Sequence, residues 1–355
     1  MSSPAYANGD QAEPPGVVSR FGDTSSPSLE PLPRVSLLVA MRNEQEHIEG
    51  CLRSILEQDY PQQLIETLVL DGRSTDASRQ IAERLVAERS GWIVADNPGI
   101  AQSNGWNIGI ERASGDVIGI VSAHAELASD YVSNAVETLR RTGADLVGGP
   151  VHAHGMTYLG RAVAIATSSP FGIGNARAPR EVEVDTVFQG LCLKEMYERI
   201  GTFDEAMVRN QDDELSYRLR EHGGRIVCNP AIQSRYYNRG TLRSLARQYA
   251  SYGFWKARVM QRLPRQMQPR QFVPAVFVIA LAGSAASSLV FDKGVVALVL
   301  VAGSYMAANL AASSIAAAKH GLRYLPVIPL AFATLHLSYG SGFLVGLPRW
   351  YLRRE

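Results

Sequence analysis

Apolar positions in the first two thirds of the chain form short continuous runs that alternate with stretches at helical spacing. Runs at 35–40 and 64–70 each end in polar residues, and between them Ile48, Leu52 and Ile55 recur on one helix face. Further strands are predicted at 91–95 and 117–121, and further helices from a Ser74-Thr75-Asp76 cap to about Arg89, at 101–112 and at 129–141. This alternation predicts an α/β layer with a mostly parallel sheet.

Polar side chains follow these strands at the points where the strands end. In open parallel sheets, ligands bind outside the carboxyl ends of the strands. We therefore expect five such residues to gather at one edge of the sheet, namely Asn43, Glu44, Asp71, Ser122 and His124.

The last third of the chain contains three long apolar windows, at 272–291, 294–318 and 325–348. At about 1.5 Å per residue, each can cross a hydrocarbon core of about 30 Å. Buried helices of a soluble domain are the alternative, but the short connections leave such a domain without polar surface. We expect three transmembrane helices. Pro326 and Pro329 in the third window leave a bent or re-entrant segment as the other interpretation.

The charges are divided unevenly along the chain. Residues 1–221 hold 19 Lys and Arg against 32 Asp and Glu, whereas residues 222–355 hold 16 against 2. Most of these later basic residues lie just before the first apolar window, as expected for a cytoplasmic flank. Tyr249, Tyr252, Phe254 and Trp255 in the same stretch predict an amphipathic helix at the headgroup level. Such a membrane tether argues against a nucleic-acid partner.

These features divide the chain into four parts. Residues 1–33, rich in Pro and Ser, predict a disordered tail without a secretory signal, so the following domain is expected in the cytosol. An α/β domain at 34–238, a basic amphipathic segment at 239–271 and a membrane region at 272–355 follow. Cys51, Cys192 and Cys228 form neither a disulfide pattern nor a zinc pattern and are expected to be core thiols in a reducing compartment.

Five motifs follow one another along the α/β part. They are Arg42-Asn43-Glu44, Asp71-Gly72-Arg73-Ser74-Thr75-Asp76, Gln102-Ser103, Ser122-Ala123-His124-Ala125-Glu126 and Asn210-Gln211-Asp212-Asp213-Glu214-Leu215. A carboxylate at a strand end can accept a hydrogen bond from a base or a ribose, although Asp-Gly after a strand is more often a simple turn. In their order and spacing the motifs resemble the family 2 inverting glycosyltransferases, over about residues 35–260. Within the family the chain is most similar to the branch of the succinoglycan glucosyltransferases.

The resemblance implies a Rossmann-like GT-A fold and a nucleotide-sugar donor, with a UDP-sugar favoured. It also implies a divalent cation, Mn²⁺ or Mg²⁺, at an Asp-x-Asp or Asp-x-His motif. The residues that correspond to the donor site are Arg42, Asn43, Glu44, Asp71, Gln102 and Ser122. Ser122 stands where the family has the first Asp, which leaves His124 and, if the segment is extended, Glu126 as metal ligands. Imidazole favours Mn²⁺ over Mg²⁺.

The resemblance assigns the catalytic base to Asp212, in a Gln211-Asp212 pair where the family has Glu-Asp. Asp213 and Glu214 either hold the acceptor or cap the helix that begins there. Further on, Arg247, Gln248, Trp255 and Lys256 resemble a variant of the family's Gln-x-x-Arg-Trp segment. Their cations could stabilise the departing diphosphate, and some of them could serve lipid headgroups instead.

Together these features predict a multi-pass enzyme of the cell inner membrane with its catalytic domain on the cytoplasmic side. It would transfer a sugar, with inversion, to a hydroxyl of a lipid-linked saccharide in extracellular polysaccharide or cell-envelope glycan synthesis. A polyprenyl-phosphate glycosyltransferase is one alternative. A degenerate, non-catalytic membrane partner of an assembly complex is another.

Overall fold

The structure is a computed structural model that describes residues 31–172, 180–238 and 240–352. Most of the predicted N-terminal tail therefore lies outside the described residues. The first half of the chain alternates strands and helices, as predicted. Its elements are β1 (Val35–Met41), α1 (Ile48–Leu56), β2 (Ile65–Asp71), α2 (Ser78–Val86), β3 (Trp92–Asp96), α3 (Gln102–Arg112), β4 (Val117–Ser122), β5 (Ala125–Leu127) and α4 (Tyr131–Thr142).

The second half of the catalytic region adds shorter strands and three helices. These elements are β6 (Leu146–Gly149), β7 (Val151–His154), α5 (Tyr158–Thr167), β8 (Val182–Glu183), β9 (Phe188–Leu193), α6 (Lys194–Ile200), α7 (Gln211–Glu221), β10 (Ile226–Cys228) and β11 (Ser234–Tyr237).

Eight strands form the central sheet, in the order β3-β2-β1-β4-β9-β6-β10-β8. The first four strands are parallel, while β9 runs antiparallel to both β4 and β6. Val35, Leu37 and Val39 pack with α1, α2 and α4 on one face. Leu38 and Ala40, which alternate with them, pack with α3, α6 and α7 on the other face. The result is the predicted α/β fold with a mostly parallel sheet.

A second, three-stranded sheet has the order β5-β11-β7. β5 follows β4 after only two residues, and Tyr236 of β11 pairs with Ala125 of β5. This small sheet therefore places the segment that contains Ser122 and His124 beside β11, the last strand of the α/β part.

Four long helices complete the described chain: α8 (Leu242–Arg262), α9 (Val273–Ser288), α10 (Asp292–His320) and α11 (Ile328–Tyr351). Three helical segments among the described residues are long and apolar enough to cross a membrane, and they correspond to the three predicted windows. Their bounds are Pro269–Ser288, Asp292–His320 and Ile328–Tyr351. A separate apolar core joins α5, α8, α10 and α11.

The three cysteines are free and buried, as expected for core thiols. Burial raises the pKa of Cys51 and Cys192 well above the usual range, because the thiolate loses its hydration.

Candidate active site

The loops that follow β1 and β2 are tied together by Asn43. Its backbone adopts a left-handed conformation (φ 54°), which Asn tolerates better than most residues. The Asn43 backbone N–H donates to Ser74 Oγ at 3.0 Å, and Asn43 Oδ1 accepts from the Thr75 N–H at 2.8 Å. Glu44 continues the connection, because its N–H donates to Ser78 Oγ at 2.7 Å. The first two predicted motifs thus form one rim, with Arg42 exposed on it.

Asp71 lies beneath this rim and is only 3% exposed. Its Oδ1 accepts from the Ser74 N–H at 3.2 Å, and its Oδ2 lies 3.4 Å from Arg79 NH1. The Asp71 carboxylate is therefore held from two sides, by the Ser74 N–H and by Arg79. Arg79 also contacts Asp96 at 2.5 Å. A Cβ on the neighbouring Gly72 would lie 2.8 Å from the carbonyl oxygen of Ile100. The backbone is therefore closely packed at the point where a ligand would approach it.

Gln102 is the first residue of α3 and is half-buried. It follows the loop after β3, where the Asn97 N–H donates to the Asp71 carbonyl oxygen at 2.9 Å. The next residue, Ser103, donates through Oγ to the carbonyl oxygen of Met207 at 3.2 Å. This bond connects the start of α3, at the edge of the sheet, to the segment that leads into α7.

Ser122 and His124 join the same edge through Glu44. His124 Nδ1 lies 3.2 Å from Glu44 Oε1 and 3.4 Å from Ser122 Oγ. The imidazole also meets the Tyr236 ring edge-on, at 4.7 Å between centroids. His124 therefore joins two of the predicted motifs, because it contacts Glu44 of the first and Ser122 of its own.

Glu126 takes a different direction. Its carboxylate lies against Gly50 of α1 and accepts a hydrogen bond from Tyr237, whose pKa is raised by burial and by this bond. Within the described ranges, no group of three or more His, Cys, Asp or Glu side chains could hold a metal ion. The predicted pair of His124 and Glu126 does not by itself fit a divalent cation.

Asp212 lies in the first turn of α7, two residues after Asn210, which precedes the helix and has a φ of 60°. It is half-buried. Loss of hydration and the negative charge of Asp213 raise its pKa to about 6, while Lys256 acts in the opposite direction. A carboxyl group with a pKa near 6 is ionised at neutral pH and is a stronger base than an ordinary aspartate. This arrangement can remove a proton from a hydroxyl.

The two acids that follow Asp212 have different partners. Asp213 Oδ2 lies 2.9 Å from Lys256 Nζ, and the Asp213 carbonyl oxygen accepts from Gln266 Nε2 at 2.8 Å. Glu214 instead makes a two-pronged pair with Arg218, at 3.0 and 2.9 Å. Asp213 thus connects α7 to α8, whereas Glu214 is held within α7.

The predicted closing segment lies on α8, and its members point to different neighbours. Gln248 Nε2 donates to the Tyr252 hydroxyl at 3.1 Å, while Arg247 is exposed. Trp255 packs against Trp350 of α11, with ring centroids 5.2 Å apart. Lys256 is the member of this set that contacts the α7 acids.

Sequence reasoning missed an aromatic group that lies beside His124 at the carboxyl edge of the sheet. His47 stacks on Tyr237 at 5.0 Å, and Tyr236 contacts both His124 and Phe188. Burial, together with neighbours Tyr252 and Tyr236, raises the pKa of Tyr249 well above its usual range. Nothing in the local sequence pattern marks β11, because its four residues follow a loop of ordinary composition.

Gln189 is a second residue that the sequence did not reveal. It is 4% exposed, has a φ of 56° and has neither side-chain amide atom paired within the described structure. It precedes the part of β9 that pairs with β4, the strand that ends at Ser122. A single glutamine among strand-forming residues does not indicate, from the sequence alone, that its amide will be buried without a partner.

A mostly parallel α/β sheet with acidic and polar groups at its carboxyl edge, followed by a helix with acids in its first turn, is the arrangement expected of a GT-A type glycosyltransferase. The Glycosyl transferase family 2 model matches residues 36–201. The chain is 30% identical to the succinoglycan biosynthesis protein ExoA of Rhizobium meliloti (strain 1021) over 318 residues, which are 86% of this chain and 93% of that protein. The protein therefore belongs to glycosyl transferase family 2.

Two other similarities extend this result. The chain is 28% identical to the dolichyl N-acetyl-alpha-D-glucosaminyl phosphate 3-beta-D-2,3-diacetamido-2,3-dideoxy-beta-D-glucuronosyltransferase of Methanococcus voltae, over 64% of this chain and 74% of that protein. The mannosyltransferase PcManGT from Pyrobaculum calidifontis, solved in complex with GDP-Man and Mn²⁺, superposes with a TM-score of 0.55. That match has 21% identity and covers 89% of this chain and 87% of the other, and it supports the fold.

Proposed function

We propose that this glycosyltransferase is membrane-anchored and transfers a sugar from a nucleoside diphosphate sugar to a hydroxyl of a lipid-linked saccharide, with inversion of configuration. In this proposal Asp212 is the general base. It takes the proton of the acceptor hydroxyl while the oxygen attacks the anomeric carbon from the side opposite the diphosphate. The bond from the anomeric carbon to the diphosphate oxygen breaks as the new glycosidic bond forms.

The observation that carries the proposal is the position of Asp212. It combines a pKa of about 6 with a neighbour, Asp213, that is paired to a lysine on α8. α8 in turn packs along α11, one of the helices long enough to cross a membrane. The base therefore lies close to the part of the chain that would meet a bilayer, which suits an acceptor presented at a membrane surface.

The donor would occupy the sheet edge on the other side of the site. We propose that the rim of Arg42, Asn43 and Glu44, with Asp71 beneath it, receives the nucleoside. His124, held by Glu44, would then face the diphosphate together with Ser122. A UDP-sugar is the favoured donor.

The names of the relatives support the acceptor class. ExoA is named for succinoglycan biosynthesis, and the Methanococcus voltae protein is named for transfer to a dolichyl-linked sugar phosphate. We therefore propose a role in polysaccharide or envelope glycan synthesis at the cell inner membrane, with the catalytic domain on the cytoplasmic side.

The test is a transfer assay in membranes that contain the full chain. Radiolabelled UDP-sugars and a GDP-sugar are offered with a polyprenyl-diphosphate-linked saccharide or with plain polyprenyl phosphate. We expect a labelled lipid saccharide whose new linkage has the anomeric configuration opposite to that of the donor. Transfer to plain polyprenyl phosphate alone would replace the proposed acceptor, and a retained configuration would contradict the mechanism.

Asp212→Asn is the decisive variant in this assay. Loss of a general base lowers turnover by about 10²–10⁴-fold, while donor binding should remain near the wild-type level because the side-chain volume is kept. Glu221→Gln, at the exposed end of the same helix, is the matched control and should keep wild-type activity. Retention of more than about a tenth of wild-type turnover in Asp212→Asn would mean that another group is the base.

A further inference from the structure

Helices α8 and α11 lie side by side and point in the same direction. Gly253 packs against the backbone at Tyr339 and Phe343, and Gly346 packs against the backbone of Phe254. At the end of α11, Trp350 Nε1 donates to the Phe254 carbonyl oxygen at 3.1 Å. Contacts therefore advance together along the two helices, from Ala250 and Gly342 to Arg258 and Trp350.

The second half of α8 is fixed to the catalytic domain. Lys256 pairs with Asp213, and Arg262 pairs with Asp204. Asn210 Nδ2 also donates to the Tyr252 carbonyl oxygen at 3.4 Å. These three bonds hold α8 from Tyr252 onward at the level of the catalytic domain.

The second half of α11 must lie at the same depth relative to a bilayer as this part of α8, because the two helices are packed together. If it instead crossed a bilayer, Lys256 and Arg258 would be drawn into hydrocarbon with it. Charged groups at that depth are rare and costly. Both residues are almost fully buried, and the Arg258 guanidinium lies 4.7 Å from the centre of the Trp350 ring. A perpendicular crossing by α11 therefore conflicts with its own contacts.

The free face of α11 suits an orientation along the membrane surface. Its exposed apolar side chains fall within about a third of the helix circumference, with charged α8 on the opposite side. They are Leu330, Leu337, Val345 and Tyr351. A helix that presents an exposed apolar face opposite a charged partner helix can rest with that face in the boundary between headgroups and acyl chains.

Helices α9 and α10 form an antiparallel hairpin whose base packs against α11, where the Pro274 carbonyl lies against Gly340 and Tyr305 Oη lies 3.0 Å from His336 Nδ1. Its tip and both adjoining arms expose apolar side chains, namely Val276, Ile279, Leu289, Val290, Phe291, Val295, Val296, Val299 and Leu300. At about 1.5 Å per residue, the 16 residues of α9 span roughly 24 Å and the 29 residues of α10 roughly 44 Å, so α9 together with the apolar Leu289, Val290 and Phe291 approaches the thickness of a hydrocarbon core of about 30 Å. The polar pair Asp292 and Lys293 follows directly at the tip.

We propose that the α9–α10 hairpin crosses the bilayer twice while α11 lies along the membrane surface on the catalytic side, so that the chain after α11 stays on that side. The partner of the exposed α11 face and of the hairpin is the phospholipid bilayer. The distribution of basic residues agrees. Lys319, Arg323 and Arg349 then all face the cytoplasm, whereas three crossings would send Arg349 to the other side.

The test is the labelling of single added cysteines with a membrane-impermeant maleimide. The native thiols are buried, so the wild-type chain provides the background. Gln80→Cys on exposed α2 marks the catalytic side, Leu352→Cys marks the end of α11 and Lys293→Cys marks the hairpin tip. Each variant is labelled in intact spheroplasts, in inverted inner-membrane vesicles and, as a reactivity control, in detergent.

We expect Gln80→Cys and Leu352→Cys to react in inverted vesicles and Lys293→Cys to react in spheroplasts. Labelling of Leu352→Cys in spheroplasts would overturn the proposal, because α11 would then be a third crossing. Labelling of Lys293→Cys on the side of Gln80→Cys, or on neither side although it reacts in detergent, would contradict a crossing hairpin. An epitope appended to the chain end, removed by added protease only in inverted vesicles, gives the same information if Leu352→Cys misfolds.

This proposal rests on the membrane location proposed above, and the two can fail separately. Recovery of the wild-type chain in the soluble fraction would refute the location itself. A membrane-bound chain with the wrong labelling pattern would refute only the arrangement of the helices, and neither result depends on glycosyl transfer.

Discussion

Lys256 Nζ lies 2.9 Å from Asp213 Oδ2, so an ion pair links α7, which carries the candidate base, to α8. Lys256 is 4% exposed and comes from a segment more than forty residues downstream of the acid it meets. Burial of a lone lysine is costly, and this pair offsets the cost while it neutralises the charge next to Asp212. The pair therefore affects both the packing of α8 and the acidity of the base.

The first prediction concerns the pH dependence of transfer. Asp212 must be ionised to act as a base, so activity should rise with pH through about 6 and then level off. Lys256→Met removes the positive charge and leaves Asp213 unpaired, and both changes raise the pKa of Asp212. We expect the acid limb of the pH–rate profile to move to higher pH, with a larger loss of activity at pH 6 than at pH 8.

Two further variants test whether this effect depends on charge. Lys256→Arg keeps the charge and should restore most of the wild-type profile, whereas Arg243→Gln, on exposed α8 surface, should not move it. Because Lys256 is buried, the melting temperature of each variant is measured in parallel. An unchanged acid limb in a folded Lys256→Met protein would show that the pair does not tune the base.

The second prediction concerns the nucleoside side of the site. Asp71→Ala should weaken binding of the donor nucleotide by about 1.5–3 kcal/mol, the usual cost of losing a hydrogen bond made by a charged group. Isothermal titration calorimetry with UDP and with a UDP-sugar measures the change. Asp96→Asn, which disturbs the same Arg79 but lies on the surface, is the control. Equal affinities for Asp71→Ala and wild type would assign Asp71 to loop structure alone.

The sequence predicted the front half of the fold well because its signals are local. The run at 35–40 and the periodic Ile48, Leu52 and Ile55 match β1 and α1 closely. The motif after β2 also contacts the motif after β1, as the parallel arrangement requires. Alternation of strand and helix fixes such neighbours without knowledge of any long-range contact.

Pairs that join distant segments have no comparable local signal. Lys256 and Asp213 meet only because two separate elements, α8 and α7, pack together. The direction of Glu126 toward Gly50 depends on α1 lying beside β5, which no local period reveals. The same holds for α11, whose length and composition predict a membrane span while its contacts with α8 favour another orientation.

The third prediction concerns the cation. The wild-type site has Glu44 and His124 in contact, with a neutral hydroxyl at Ser122. Ser122→Asp would add a carboxylate within reach of both and should increase Mn²⁺ affinity in the absence of nucleotide by about tenfold or more, because acidic oxygens are good ligands for hard cations. Binding is measured by the Mn²⁺ electron paramagnetic resonance signal, with Ser122→Asn as the neutral control. Equal Mn²⁺ binding in the two variants would show that position 122 does not face a cation site.

The same variants bear on activity. If a cation supports transfer, activity in wild-type membranes should fall in chelator and return with Mn²⁺ more fully than with Mg²⁺. Ser122→Asp should then raise the activity supported by Mg²⁺. Full activity in chelator would assign the charge of the leaving diphosphate to protein cations, and a folded but inactive Ser122→Asp would indicate a pocket reshaped for another donor.

The last prediction concerns the contact between α8 and α11. Gly342 faces the carbonyl of Ala250 so closely that an added Cβ would collide with the α8 backbone, which cannot move aside as a side chain can. Gly342→Ala should therefore separate the helices and lower stability by about 1–3 kcal/mol, as overpacking does in other cores. Gly303→Ala is the matched control, because no atom lies within 4 Å of the Cβ it would add. In an exposed helix that change should be neutral or stabilising by up to about 1 kcal/mol. Thermal unfolding in detergent compares the two, and equal melting temperatures would mean that α8 and α11 are not in backbone contact.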